Sequence, residues 1–192
     1  MESCVRLWNV RMVYMTSDST DKQLVPGQLD PAVEAALHAA DISYQAMECD
    51  PNLADTAAFC EAYGFTAEQS ANTILVAGKP RDKTLPLSFA ACVVRADTRL
   101  DVNKAVCKQM GVKRASFASA DQTKELTGMM IGGVTAFGLP DDIPIYIDGA
   151  VMEPPEVVMG GGNRSSKVIL DPQELRKLPN VSIIDDLAKR AG

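Results

Sequence analysis

A chain of 192 residues with 46% hydrophobic and 23% charged residues has the balance of a globular domain that buries its own core, and excludes a disordered segment. Its net charge of −6 excludes a protein that holds nucleic acid through overall basicity, so any such partner must meet a local basic patch. Five cysteines (Cys4, Cys49, Cys60, Cys92, Cys107) without a CxxC pair, beside a single histidine, speak against a Cys/His zinc site and for reduced thiols in a cytosolic protein.

Residues 1–28 read as an N-terminal extension. Its start, "MESCVRLWNVRMVYM", is interrupted by Arg6, Asn9 and Arg11, unlike the continuous apolar core of a signal peptide. No apolar run in the chain approaches the ~20 residues of a membrane span. The domain, residues 29–192, opens at Asp30-Pro31, a cap followed by proline at the first helical position, with Val33, Ala36, Leu37 and Ala40 on one face. A strand "ISYQAM" follows. Asp55 and Gly64 bound a second helix, and Thr66 to Gln69 has the spacing of a capping box. "TILVA" and "LSFAACVVRA", joined by the polar "GKPRDKT", read as a β-hairpin.

Asp101 caps a helix "VNKAVCKQM" that Gly111 stops, and Ser119 to Gln122 is a second capping box for a short helix ending at Leu126. After a glycine-rich segment come strands "IPIYID", "EVVM" and "SKVIL", then a last helix capped by Asp171 with Pro172 in its first turn. Strands joined by turns too short for crossover helices give an α+β fold with a mixed, mainly antiparallel sheet and flanking helices.

The glycine-rich segments "GGVTAFG" (132 to 138) and "GGGN" (160 to 163) flank the strands running from 143 to 159, and are expected to converge at one end of the sheet. Bare backbone lets a ligand approach the amides closely, so together they suit a phosphate or the oxyanion of an acyl-transfer step; turns are the alternative reading. The segment fits neither GxxxxGK[ST] nor a dinucleotide fingerprint. His38, on the first helix, is read as a surface or partly packed side chain and not as a catalytic base. Arg99, Lys104, Lys108, Lys113 and Arg114 against Asp101 alone make either a nucleic-acid contact or a solvated helix face.

"LTGMMIGGVTAFGLPDDIPIYID" followed by "GGGNRSSKVIL", with "TRLDVNKAVCKQMGVKRASFAS" and "ILVA" before them, resembles the YbaK/ProX family. These are free-standing relatives of the editing domain inserted in bacterial prolyl-tRNA synthetase, and the resemblance spans about residues 28 to 186. It implies the fold of that domain and hydrolysis, without metal or cofactor, of the ester joining a wrong amino acid to a tRNA. The implied partners are aminoacyl-tRNA and, as a second candidate with no signal of its own in the chain, an aminoacyl-tRNA synthetase; no membrane is implied.

Carried over, Asn72, Gly132, Gly133 and Asp148 would serve catalysis, and Thr135, Phe137, Gly138, Gly161, Gly162 and Arg164 would bind substrate; on the sequence alone Asp148 also reads as a turn residue before Gly149. Lys104, Lys108, Lys113 and Arg114 would contact the tRNA. Two positions depart from the family pattern: Asn72 stands where the family has lysine, and Ala136 where its loop has proline. Lys79 or Lys83, in the hairpin turn, is a candidate source of the missing charge. The rival expectations are a member that binds aminoacyl-tRNA or a related acylated ligand without cutting it, and a hydrolase of another small acylated compound.

Overall fold

The computed structural model describes residues 27–190, so nearly all of the expected N-terminal extension, Cys4 included, lies outside the described residues. Asp30 accepts from the Ala32 amide at 2.9 Å and opens α1 (Pro31–Ala39), which buries Val33 and Leu37 one turn apart. Its end hooks back, with Ile42 N bonded to Leu37 O and Ser43 N to the Glu174 carboxylate at 2.7 Å. The expected strand therefore starts later than "ISYQAM", as β1 (Gln45–Glu48). Helix α2 (Thr56–Tyr63) ends at Gly64 with φ +75°, a left-handed cap that glycine adopts without strain.

Thr66 and Gln69 do exchange capping-box bonds, at 3.1 and 3.3 Å, yet no helix follows. The β-branched Thr73, Ile74 and Val76 lie a few residues beyond, and the turn feeds β2 (Ala71–Lys79). β2 pairs antiparallel with β3 (Ser88–Arg95), from Ala71↔Arg95 to Gly78↔Ser88, as the hairpin reading requires. β4 (Thr98–Leu100) comes next. The helix expected from Asp101 begins as a π-helical turn, Val102–Val106, before α3 (Cys107–Met110) stops at Gly111. β5 (Arg114–Phe117) precedes α4 (Ala120–Thr127), whose capping box of Ser119 and Gln122 is complete in both directions.

Then come β6 (Ile145–Asp148), β7 (Val157–Gly160) and β8 (Ser166–Leu170). Asp171 caps as expected, but the helix it opens is a short 3₁₀ segment, Pro172–Lys177. It is followed by β9 (Val181–Ile184) and β10 (Ala188–Arg190), which the sequence pattern did not reveal.

The main sheet has the order β5-β2-β3-β6-β9, antiparallel on the β2 side and parallel where β6 joins β3 and β9. A second, antiparallel sheet has the order β1-β8-β7, and β4 pairs with β10 in a small ribbon. The fold is thus the expected mixed α+β class. The strands between the glycine segments do not pair with each other, however. A 3₁₀ turn at Gly149–Met152 and the pair Pro154-Pro155, which lack amide donors, carry the chain from β6 in one sheet to β7 in the other. The sheets meet where Val158 N donates to Gln69 O at 2.8 Å.

Successive residues of β2 and β3 serve different cores. Leu75, Ala91 and Val93 join α1, Phe137 and the apolar residues of β6, β7 and β8 in the main core. Val76, Cys92 and Val94 pack with Leu100, Val106 and Leu187 on the other face. That two-sided burial explains why both strands read as unbroken apolar runs. A third cluster, built on Phe59 of α2 with Met47, Cys49, Val158 and Ile169, lies beneath the region where the glycine segments meet.

Candidate functional site

β7 and β8 are joined by the second glycine segment, and this turn lies against the first. Gly162 N donates to Gly133 O at 2.8 Å. A Cβ on Gly160 would stand 2.5 Å from Gly133 O and 2.6 Å from Val134 O, so only glycine permits this approach. Gly132 has φ +90°, a left-handed conformation that a side chain would strain. The turn is held from within by Asn163, whose Oδ1 accepts from the Ser165 amide at 2.9 Å and from the Ser166 hydroxyl at 2.8 Å. The expected convergence of the two segments is therefore met, although the strands between them are split across two sheets.

Arg164 fastens the first segment from outside. Its Nε and Nη2 donate to Pro51 O at 3.1 and 2.9 Å, and its Nη1 donates to Ile131 O at 3.1 Å and to Asp55 at 3.3 Å. The Asp55 carboxylate is 73% exposed, so that ion pair contributes little and the main-chain bonds carry the clamp.

Where the glycine contact meets the start of β2 and the start of α2 there is a cleft of about 270 Å³. Its walls include Asn72, Thr73, Thr56, Gly132, Gly160 and Lys167. The Thr56 hydroxyl donates to Asn72 Oδ1 at 2.8 Å, which leaves the Asn72 amide as a donor. Thr73 Oγ1 is buried and has no hydrogen-bond partner among the described residues. Asp55 does not bond back onto the first amides of α2, so the positive end of that helix also faces the cleft.

Lys167 reaches this cleft from β8. It is 7% exposed, its ammonium donates to Ala54 O at 2.9 Å and Gly132 O at 3.4 Å, and it lies 4.9 Å from the centre of the Phe59 ring. Burial pushes its pKa below the ordinary lysine value, and Arg164 nearby acts in the same direction; Cys49, Asp55 and Cys60 oppose them. A set of fixed N–H donors around one cationic nitrogen suits a carbonyl oxygen that gains negative charge, or a phosphate.

The other expected site residues are distributed more widely. Thr135 and Phe137 are fully buried, Phe137 in the main core and Thr135 with its hydroxyl unpartnered among the described residues. Gly138 lines a different, more apolar recess of about 420 Å³ beside α1, with Ala36, Leu139 and Ile143. Asp148 ends β6 and is held by the amides of Ala150 and Ala188 at 3.0 and 2.8 Å, away from the Asn72 cleft. Gly161 and Gly162 belong to the contact itself, Gly161 N donating to Ser166 O. Lys104, Lys108, Lys113 and Arg114 are all exposed. Lys104 shares a shallow recess with Arg99, Lys189, Arg190 and Phe117, a side chain 58% exposed.

Lys79 cannot supply charge to the Asn72 cleft. It pairs with Arg114 at the far end of β2, seven residues from Asn72, or roughly 23 Å at ~3.3 Å per residue. Lys83 lies beyond it in the turn. The cation in the cleft is Lys167, which motif reading passed over, as it did Thr56. A signal was present: a lone lysine inside "SKVIL", a strand whose five residues are all buried.

The family model for the aminoacyl-tRNA editing domain matches residues 50–178. The chain is 31% identical over 134 residues to the protein YwhH of Bacillus subtilis (strain 168), covering 67% of this chain and 84% of that one. A solved structure of a candidate trans-editing enzyme for prolyl-tRNA synthetase superposes with a TM-score of 0.70 at 23% identity, covering 85% of this chain and 100% of that one. Hypothetical protein APE2540 gives a TM-score of 0.71 at 22% identity, over 82% of this chain and 99% of its own. At such identities the two structures bear on the fold alone.

Proposed function

The chain belongs to the aminoacyl-tRNA editing domain family, and from that premise we propose that it is a trans-acting, cytosolic deacylase of mischarged aminoacyl-tRNA. One observation carries the reading: the glycine contact, the Asn72 amide and the uncapped start of α2 share one cleft of about 270 Å³, room for a terminal aminoacyl group. The need for such an enzyme is physical. An activating site separates side chains differing by one methylene by only ~1–3 kcal/mol, so a second hydrolytic site removes the errors.

In this proposal the segment around Gly132 and Gly133 holds the ester carbonyl, and the Asn72 amide donates a neutral hydrogen bond to it. Water attacks, aided by the adjacent hydroxyl of the substrate's own terminal ribose, with no metal or cofactor. Arg164 keeps the loop closed against Pro51. Lys104, Lys108, Lys113 and Arg114 contact the tRNA backbone, and Asp148 and the buried Thr135 and Phe137 shape the fold around the site. The amino acid removed is decided by the cleft's side-chain contacts. A synthetase is a candidate partner.

The test is deacylation of alanyl- and cysteinyl-tRNA for proline and seryl-tRNA for threonine by wild type and Asn72→Ala. Turnover above buffer that falls in Asn72→Ala supports the reading. A second reading rests on the engagement of Asn72 with Thr56: a member that binds aminoacyl-tRNA without cutting it. It predicts saturable binding with hydrolysis no faster than in buffer.

A further inference from the structure

Lys167 poses an energetic problem that its protein surroundings do not solve. Moving an ammonium from water to an interior costs several kcal/mol, a cost that a buried carboxylate ordinarily offsets. Among the described residues Lys167 forms no ion pair. Asp55, a carboxylate that acts on it electrostatically, is bonded to Arg164. Two main-chain carbonyls and the face of Phe59 are the partners it has, and one of the carbonyl contacts is long at 3.4 Å. Its cross-strand partner Met47 and the Phe59 ring, both members of the apolar cluster with Val158 and Ile169, would accept a methionine without any charge to house.

We infer that Lys167 is a catalytic residue of this chain, its ammonium facing the acyl carbonyl of a substrate seated in the Asn72 cleft. The inference rests on the deacylase reading above and adds to it the group that meets the developing charge. An ammonium has three N–H donors, and two are accounted for by Ala54 O and Gly132 O. Its attachment to Gly132 O also joins the cation to the loop that holds the ester.

The step balances without any other reactant. The oxygen of water bonds to the carbonyl carbon, and the carbonyl oxygen takes up the electron pair beside the Lys167 ammonium and the Asn72 amide. The pair then reforms the C=O bond as the C–O bond to the ribose breaks. One water proton ends on the ribose oxygen and the other passes to solvent as the amino acid's carboxyl ionises. Lys167 keeps its own protons throughout. The ligand class is an amino acid ester of a ribose hydroxyl, and a depressed lysine pKa agrees with a nitrogen that lacks a permanent anionic partner.

The experiment compares single-turnover deacylation by wild type, Lys167→Met and the double variant Lys167→Met/Asn72→Lys, with melting curves for each. Removing one donor to a developing oxyanion lowers kcat by about 10²–10³-fold, so that loss is expected in Lys167→Met with KM little changed. The double variant, which returns an ammonium to the same cleft from β2, should recover at least about tenfold; a scaffolding lysine would not be replaced from another strand. Lys167→Met within about threefold of wild type, or a double variant no faster than the single, would overturn the inference while wild-type turnover left the deacylase reading standing.

Should Lys167→Met not fold, the wild type decides. Its ¹⁵N-labelled lysine side chains are observed on titration with the stable amide analogue of 3′-alanyl-adenosine. A shift of the Lys167 Nζ resonance is expected, and its absence at saturation would overturn the assignment. Wild type that neither cleaves nor binds the analogue would overturn the deacylase reading and this inference with it.

Discussion

Gly160→Ala should break the site by forcing two main chains apart. The new Cβ would stand 2.5 Å from Gly133 O and 2.6 Å from Val134 O, roughly 0.8 Å short of the ~3.3 Å at which a carbon and a carbonyl oxygen normally meet. Neither oxygen can rotate away, because both belong to the backbone, and Gly133 O also accepts from Gly162 N. Overpacking of this kind costs about 1–3 kcal/mol, and loss of the Gly162 bond adds about 0.5–1.5 kcal/mol. For a chain of this length each kcal/mol lowers Tm by about 2–4 °C, so a loss of roughly 3–18 °C is expected by circular dichroism. Displacing the carbonyl cradle by ~1 Å should also lower the deacylation rate about 10²-fold at temperatures where the variant is folded. Gly64→Ala is the control. Its Cβ would meet nothing within 4 Å, so only the left-handed strain of φ +75° is imposed, about 1–2 kcal/mol, with activity intact. A Gly160→Ala protein that melts with wild type and cleaves at its rate would refute the close contact.

Three further outcomes follow from the charges. If the exposed Lys104, Lys108, Lys113 and Arg114 each meet a phosphate, kcat/KM for aminoacyl-tRNA should fall roughly 10²-fold between 50 and 200 mM salt; a flat profile would remove them from the interface. Burial pushes the Cys92 thiol up to about 12 from an ordinary 9.0, so the unfolded chain loses that proton first. Stability is then full below pH 9 and lost between pH 9 and 12, by up to roughly 4 kcal/mol, and Cys92→Ala should flatten that alkaline branch in urea titrations. The hydrogen bond from Arg95 holds the Asp97 carboxyl below 3.8. Its contribution is full above that value and is lost as pH falls through the lower folded one. Asp97→Asn should melt earlier at neutral pH, since Arg95 is buried and, among the described residues, would keep Glu153 as its ion-pair partner, and should lack that part of the acid transition.

Most of the fold could be read from local chemistry. Asp30-Pro31, Gly64, and Ser119 with Gln122 are end signals whose hydrogen bonds involve near neighbours, so they act wherever the rest of the chain goes; Asp55 marks the start of α2 without a side-chain cap bond. The two-sided apolar strands β2 and β3 were equally plain. What local chemistry left out were elements decided by distant partners: β5 is four residues long and has no continuous apolar pattern, and β9 and β10 exist because β6 and β4 offer edges. Thr66 to Gln69 shows the same limit from the other side, since a complete capping box precedes a strand. At the site, Asn72 and the glycine segments were found from their motif. Lys167 was not, because a lysine 95 residues from Asn72 shares its cleft only after β8 has been placed against β1 and β7.

The central claim, that this glycine-bounded cleft hydrolyses aminoacyl esters, is tested most directly by deacylation of the panel of mischarged tRNAs with wild type, Asn72→Ala and Asn72→Lys. The account predicts turnover by wild type on at least one of them, a drop in Asn72→Ala, and activity in Asn72→Lys at least equal to wild type, because a charged hydrogen bond is worth ~1.5–3 kcal/mol against ~0.5–1.5 kcal/mol for a neutral one. Wild type as slow as buffer on every tRNA, with the protein folded and its melting curve intact, would contradict it.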